Sequence, residues 1–198
     1  FSISAWIYPS TLAYFSIVDK YSSNDKEYLF ELDNNGKLFF RCVDESAGSF
    51  IGRKYNTALT AGKWYHVVAT YNANEASSGI NLYLNGENVD DTDSESGSYT
   101  AMQNEAGVLA IGLRSDGAQY SNGVITEVSI WGTELSQAEI NELYNDGKAL
   151  DATIHSRISN LVSYWRNNGL SEWKDLKNPT VTTFDGTPPY CNETLLLP

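Results

Sequence analysis

The sequence predicts an all-β fold with a single well-marked helix near its end. Thirteen Tyr, seven Phe, five Trp and fifteen Gly are spread among short apolar runs separated by turn residues, the composition of a protein built from strands. Two Asn-Gly dipeptides, Asn35-Gly36 and Asn85-Gly86, stand between strand-like runs, where positive φ angles match the twist of a hairpin. From Ser136 to Gly147 the apolar period changes from two to that of a helix.

The elements follow in order. Phe1-Ser2-Ile3-Ser4-Ala5-Trp6-Ile7-Tyr8 alternates, with Phe1, Ile3, Ala5 and Ile7 on one face, and Pro9-Ser10 ends it. Residues 28–32 and 37–43 flank the turn Asp33-Asn34-Asn35-Gly36. Trp64 to Tyr71 follows the turn signal Thr60-Ala61-Gly62-Lys63, and Ile80 to Leu84 runs into the second Asn-Gly turn with Ile80, Leu82 and Leu84 toward the core. Gly107 to Arg114 and Gly123 to Trp131 supply two more strands.

Ser136-Gln137-Ala138-Glu139 is a capping box, Leu135 and Ile140 form a hydrophobic staple around it, and Gly147 is placed to close the helix in a left-handed turn. A second short helix is expected from Asp151 to about Asn160, on which Ile154, Ile158 and Leu161 share a face and His155 points to solvent. Leu161 to Arg166 reads as a strand again, followed by a tail without enough periodicity to place. The expected organisation is one domain over residues 1–148 and a segment, 149–198, that docks on that domain or on a neighbour.

Charge and composition exclude several roles. With 13 basic against 25 acidic residues the chain carries a net charge of −12, which argues against nucleic acid, whose affinity comes largely from Lys and Arg displacing counterions. No apolar run approaches the ~18 residues that span a bilayer, so no membrane insertion is expected. Phe1 opens directly into a strand pattern with no basic leader, so the chain is expected to begin inside a domain. Cys42 and Cys191 allow one disulfide at most, and two reduced thiols fit equally well.

Four stretches in fixed order, residues 1–9, 59–71, 80–86 and 123–131 with the helix behind them, resemble the laminin-G-like jelly-roll domains of the concanavalin A-like lectin/glucanase superfamily. The resemblance implies a two-sheet antiparallel jelly-roll sandwich with one or two short C-terminal helices. Thr126 stands where such domains commonly carry an acid, with Glu127 retained beside it. Residues 161–169 resemble the lead-in that usually precedes the first motif; here it follows the domain, either because the chain is cut from a tandem array or because the segment supplies an edge strand. Modules of this kind occur in adhesins and in structural proteins of bacterial viruses, which places the expected setting outside the cell or on a virion surface.

The chemistry expected is recognition without catalysis. The Glu-x-Asp-x-x-Glu strand of glucanases sharing this fold is absent: Glu31-Leu32-Asp33 lacks the third acid because position 36 is Gly. His66 lies in an apolar strand, where a structural hydrogen bond is the ordinary role, and the two Cys and two His lack zinc spacing. Asp90, Asp91, Asp93 and Glu95 form an acidic run able to offer Ca²⁺ its hard oxygen ligands; Asp91 and Asp93, with Asp116 from the loop before the last strand, are the candidate metal ligands. A sugar site needs aromatic planes with planar hydrogen-bonding groups beside them, and the loop residues Tyr14, Tyr21, Tyr120 and Asn122 are the candidates. The expected partners are therefore a glycan or the other protein subunits of a larger assembly. The first makes a lectin-like module; the second makes a capsid-decorating or tail-appendage protein that binds no glycan.

Overall fold

The computed structural model describes residues 1–114, 120–167 and 173–179. Among the described residues twelve strands, numbered in chain order, form two six-stranded sheets in which every pairing is antiparallel. In the first sheet the order is β12 (Leu161–Trp165), β11 (Gly123–Trp131), β1 (Ser2–Pro9), β6 (Tyr65–Tyr71), β7 (Ile80–Leu84) and β8 (Glu87–Asn88). In the second it is β10 (Ala110–Ile111), β2 (Phe15–Tyr21), β3 (Lys26–Leu32), β4 (Lys37–Asp44), β5 (Ser49–Ala58) and β9 (Thr92–Ser96). The chain is a jelly-roll sandwich whose main core, between the sheets, gathers Ile3, Phe30, Phe40, Val67 and Leu82.

Both Asn-Gly turns form as expected. Asp33 Oδ1 accepts from the backbone N–H of Asn35 (2.8 Å) and of Lys37 (3.1 Å), and Gly36 takes φ +71°, so the turn's own carboxylate stitches β3 to β4. Asn85 and Gly86 both adopt positive φ, and Asn85 Oδ1 ties the turn to His66 N at 2.9 Å.

The helix α1 (Gln137–Tyr144) begins with the complete capping box of Ser136 and Glu139. Its buried residues Ile140 and Leu143 lie on the outer face of the first sheet, where Val68, Tyr83, Trp131, Leu161 and Tyr164 form a second core. This explains why nearly every residue of β1 is buried on both faces and why Tyr83, expected on a wet face, is 8% exposed.

Five expectations need correction. The helix is closed by Asn145 and Asp146, both left-handed, before Gly147 is reached; Asn and Asp tolerate that region. The second helix is instead two short 3₁₀ turns, Ala152–Ile154 and Ile158–Asn160, parted by extended His155; β-branched Thr153, Ile154 and Ile158 disfavour a longer helix. His155 is buried, its Nε2 3.0 Å from the Glu139 carbonyl and its ring 4.8 Å from that of Trp131. Of Gly107 to Arg114 only Ala110–Ile111 is strand. Trp64 precedes β6 and is half-buried against Tyr8, whereas Trp6 and Trp131 are core.

Three strands carried no legible pattern. β2 and β5 are paired irregularly, with register shifts that break the alternation, and β9 (Thr-Asp-Ser-Glu-Ser) has no apolar residue and is held by its ladder to β5. Among the described residues no helix is long and apolar enough to cross a membrane.

Candidate functional site

With α1 covering the outer face of the first sheet, the outer face of the second is the one left to consider. The registers define it. Paired residues of antiparallel strands share a face, so the pairs Ser16↔Glu31, Asp19↔Leu29, Leu29↔Arg41, Glu31↔Phe39, Arg41↔Gly52, Phe39↔Lys54 and Val43↔Phe50 place these side chains together, away from the core. Leu29, Phe39 and Val43 are accordingly buried yet belong to neither core cluster.

At the centre of this face the Arg41 guanidinium lies 4.9 Å from the ring centroid of Phe50, 5.0 Å from that of Tyr21 and 5.7 Å from that of Phe39. The bulge between Ser16 and Val18 shifts the alternation of β2 so that Asp19 and Tyr21 fall on this face, and the Arg114 guanidinium reaches the Tyr21 ring at 5.4 Å. Lys54 stands over Phe39 at 5.0 Å and donates to Asp33 Oδ2 at 2.9 Å. Beside Arg41, Gly52 carries no side chain; a Cβ there would come within 2.7 Å of the Phe40 carbonyl oxygen and 3.1 Å of the Phe39 ring. The glycine lets the Phe39 ring lean across the strand.

The carboxylates of this face are buried. Asp19 is fully buried and Glu31 is 5% exposed. Burial pushes Glu31 up to about 7, with Arg41 and Arg114 opposing the shift and Asp19 and Asp33 adding to it, so Glu31 is half-protonated at neutral pH and can donate as well as accept. Planar cation, aromatic rings and a switchable carboxyl are the elements that grip a hydroxylated ring.

The residues expected to bind sugar are only partly brought together. Tyr21 is on this face. Tyr14 precedes β2 at its opposite end, about 20 Å of strand away, and is exposed. Tyr120, 62% exposed, pairs with Leu113 next to Arg114 at the rim of the second sheet. Asn122, also exposed, accepts from Ser10 N through its carbonyl at 2.8 Å, on the side where Tyr14 lies.

The expected metal ligands are occupied by protein partners. Asp93 and Asp90 both ion-pair with Arg53, Asp91 Oδ2 accepts from Asn56 N at 2.7 Å, and Glu95 accepts from Ser77; the run is not a loop but the entry to β9 and the strand itself. A guanidinium beside Asp93 opposes a divalent cation there. Asp116 lies outside the described residues, as do Cys191 and the tail from residue 180. Among the described residues no group of three His, Cys, Asp or Glu is placed to share a metal, and Cys42 is a buried free thiol.

His66 is buried, its ring stacked on Tyr144 of α1 and tilted against Trp6, with Nε2 2.8 Å from Ser4 Oγ. Desolvation pushes its imidazole down to about 3. It is neutral and sealed from solvent, the structural role expected of it.

Glu31, Phe39, Arg41 and Phe50 were not singled out as ligand contacts from the sequence, although the signal was present. Once Asp33–Gly36 is recognised as a turn, Leu29-x-Glu31 must face Phe39-x-Arg41, opposite Phe30, Leu32, Leu38 and Phe40.

The model of the family described as the concanavalin A-like lectin/glucanases superfamily matches residues 1–141. No curated protein matches the sequence. Among solved structures, a candidate carbohydrate-binding protein from Bacteroides ovatus ATCC 8483 superposes with a TM-score of 0.62 at 18% identity, over 90% of this chain and 49% of its own, so the chain spans about half that protein's length. A carbohydrate-binding module, CBM40, of the Ruminococcus gnavus IT-sialidase, solved with α2,3-sialyllactose, gives 0.53 at 14% identity over 72% of this chain and 81% of its own. The heptameric SAP-like pentraxin of Limulus polyphemus gives 0.52 at 17% identity over 72% and 68%.

Proposed function

This chain belongs to the concanavalin A-like lectin/glucanase superfamily, and from that premise we propose that it is a non-catalytic carbohydrate-binding module whose site is the outer face of the second sheet. The observation that carries the reading is the Arg41 guanidinium set among the rings of Tyr21, Phe39 and Phe50 beside Glu31. Partly exposed Tyr21 and Phe50 offer surfaces to the apolar C–H faces of a pyranose. Arg41 and Glu31 supply directed hydrogen bonds to its hydroxyls. Tyr120, at the rim, extends the surface available to a longer chain. The relatives named for carbohydrate binding support the reading, as does the absence from the sequence of the three-acid strand used by glucanases of this fold.

A glycan array probed with the purified protein tests it. Saturable binding that drops at least tenfold in Phe50→Ala is the expected result. No binding to any saccharide, together with incorporation into a larger particle, would instead support the alternative of a virion structural protein. The setting that suits a glycan reader is extracellular, on a cell or virion surface.

A further inference from the structure

Arg41 differs from the other arginines whose contacts are on view. Arg53 is held by Asp90 and Asp93, Arg157 by Glu139, and Arg166 by Glu127 and Asp151. The lysines nearest Arg41 are also engaged, Lys54 with Asp33 and Lys26 with Glu45. The Arg41 guanidinium rests on three rings and, among the described residues, donates to no oxygen; its Nε is buried without an acceptor. Glu31 Oε2, one register step away, is likewise buried without a hydrogen-bond partner. Two polar groups desolvated and left unsatisfied cost free energy that a ligand would recover.

We propose that the saccharide bound at this face carries a carboxylate, and that Arg41 receives it through the planar fork of its guanidinium. The inference rests on the carbohydrate-binding reading and names the class of sugar. Rings packed around the guanidinium restrict its motion and lower the entropy lost when the fork is engaged, and a carboxylate is the planar acceptor that matches it. A net charge of −12 works against a polyanion as a whole but not against one carboxylate at contact distance, since charges beyond about 8 Å are screened in physiological salt.

The charged groups facing the site come from Asp19 on β2, Glu31 on β3 with Asp33 just beyond it, Arg41 on β4, Lys54 on β5, which pairs with Asp33, and Arg114 after β10. An ionised Glu31 repels a ligand carboxylate; a protonated one donates to it. Affinity for the acidic sugar therefore falls as pH rises through the titration of Glu31, and affinity for a neutral sugar does not.

Isothermal titration of the full chain with matched pairs tests the proposal: methyl glucuronide against methyl glucoside, methyl galacturonide against methyl galactoside, and 3′-sialyllactose against lactose. The acidic member of at least one pair is expected to bind tenfold or more tighter, the pair concerned distinguishing a uronic from a sialic acid. That preference is expected to shrink in Arg41→Lys and vanish in Arg41→Gln, with melting curves showing that each variant folds. Equal affinity within every pair, or a preference that persists undiminished in folded Arg41→Gln, overturns the proposal while leaving the carbohydrate reading in place. No binding to any of the sugars overturns both.

Discussion

Glu127 accepts from Arg166 through both carboxylate oxygens, 2.6 Å from Nε and 3.1 Å from Nη2, and also from the hydroxyl of Tyr164. It does so from a left-handed backbone, φ +51°, at a bulge opposite β1 where two residues of β11 face one of its partner. A non-glycine residue in that region carries strain, and the three bonds that fasten β12 to β11 hold it there.

Which partner is buried decides the cost of breaking the pair. The Glu127 side chain is 3% exposed and that of Arg166 36%. Arg166→Ala strands a buried carboxylate and is expected to cost about 3 kcal/mol, whereas Glu127→Ala frees a guanidinium that water can reach and orphans only the neutral hydroxyl of buried Tyr164, at about 2 kcal/mol. Urea titration of both variants checks the order; the reverse order would mean that the carboxylate is hydrated in the absence of its partner.

Thr126, at the position where the resemblance expects an acid, is 3% exposed and accepts from Asn167 N at 3.1 Å. Thr126→Ala is expected to lower stability by about 1 kcal/mol and to leave glycan affinity unchanged, because the residue lies in the first sheet and the proposed site on the second. Chemical denaturation and array binding of the same sample report the two effects separately.

Gly52→Ala brings a methyl group to 2.7 Å from the Phe40 carbonyl oxygen, a backbone atom that cannot swing aside. Destabilisation of about 2 kcal/mol is expected, with a loss of ligand affinity beyond that of a remote variant of equal stability because the Phe39 ring is displaced. A melting temperature equal to that of the parent would mean that β5 shifts to accommodate the methyl group.

Glu31 makes stability depend on pH. Its carboxyl is raised from an ordinary value of 4.5 to about 7 in the folded chain, chiefly by burial, so it favours the fold fully below pH 4.5 and that contribution is lost as pH rises to about 7. Glu31→Gln is therefore expected to stabilise the protein by roughly 2 kcal/mol above neutrality and little at acid pH. Thermal melts of both proteins across that range should converge on the acid side; parallel curves would place the carboxyl in contact with water.

The acids of the β9 entry give an expectation for calcium. Asp93 and Asp90 neutralise Arg53 and Asp91 caps Asn56, so millimolar Ca²⁺ and a chelator are expected to give the same melting temperature. A calcium-dependent rise would move the ion to other oxygens.

Sequence pattern revealed those elements whose physics is local. The two Asn-Gly turns, the Ser136 capping box and the alternation of β1 each need only a few neighbouring residues, and each formed. Elements set by distant partners were hidden: β9 has no apolar residue and exists because β5 offers it a ladder, and His155 is buried because Trp131 and the Glu139 carbonyl come to it from elsewhere in the chain. The candidate site fell between the two cases. Residue type points to loop tyrosines as ligand contacts, but the register of β3 with β4 and of β4 with β5 gathers Glu31, Phe39, Arg41 and Phe50 on a strand surface, and of the expected tyrosines Tyr21 is carried onto it by a bulge that period-two reading does not show.

The sandwich is lopsided, because α1 and the residues around Tyr164 cover one flank, whereas among the described residues no helix covers the other, where Tyr21 and Phe50 are partly exposed. A tether, dye or solid support attached on the helix side, for example at exposed Gln137 or Asn141, would leave the opposite flank pointing into solution. Immobilisation through that opposite flank should silence the same molecule without unfolding it.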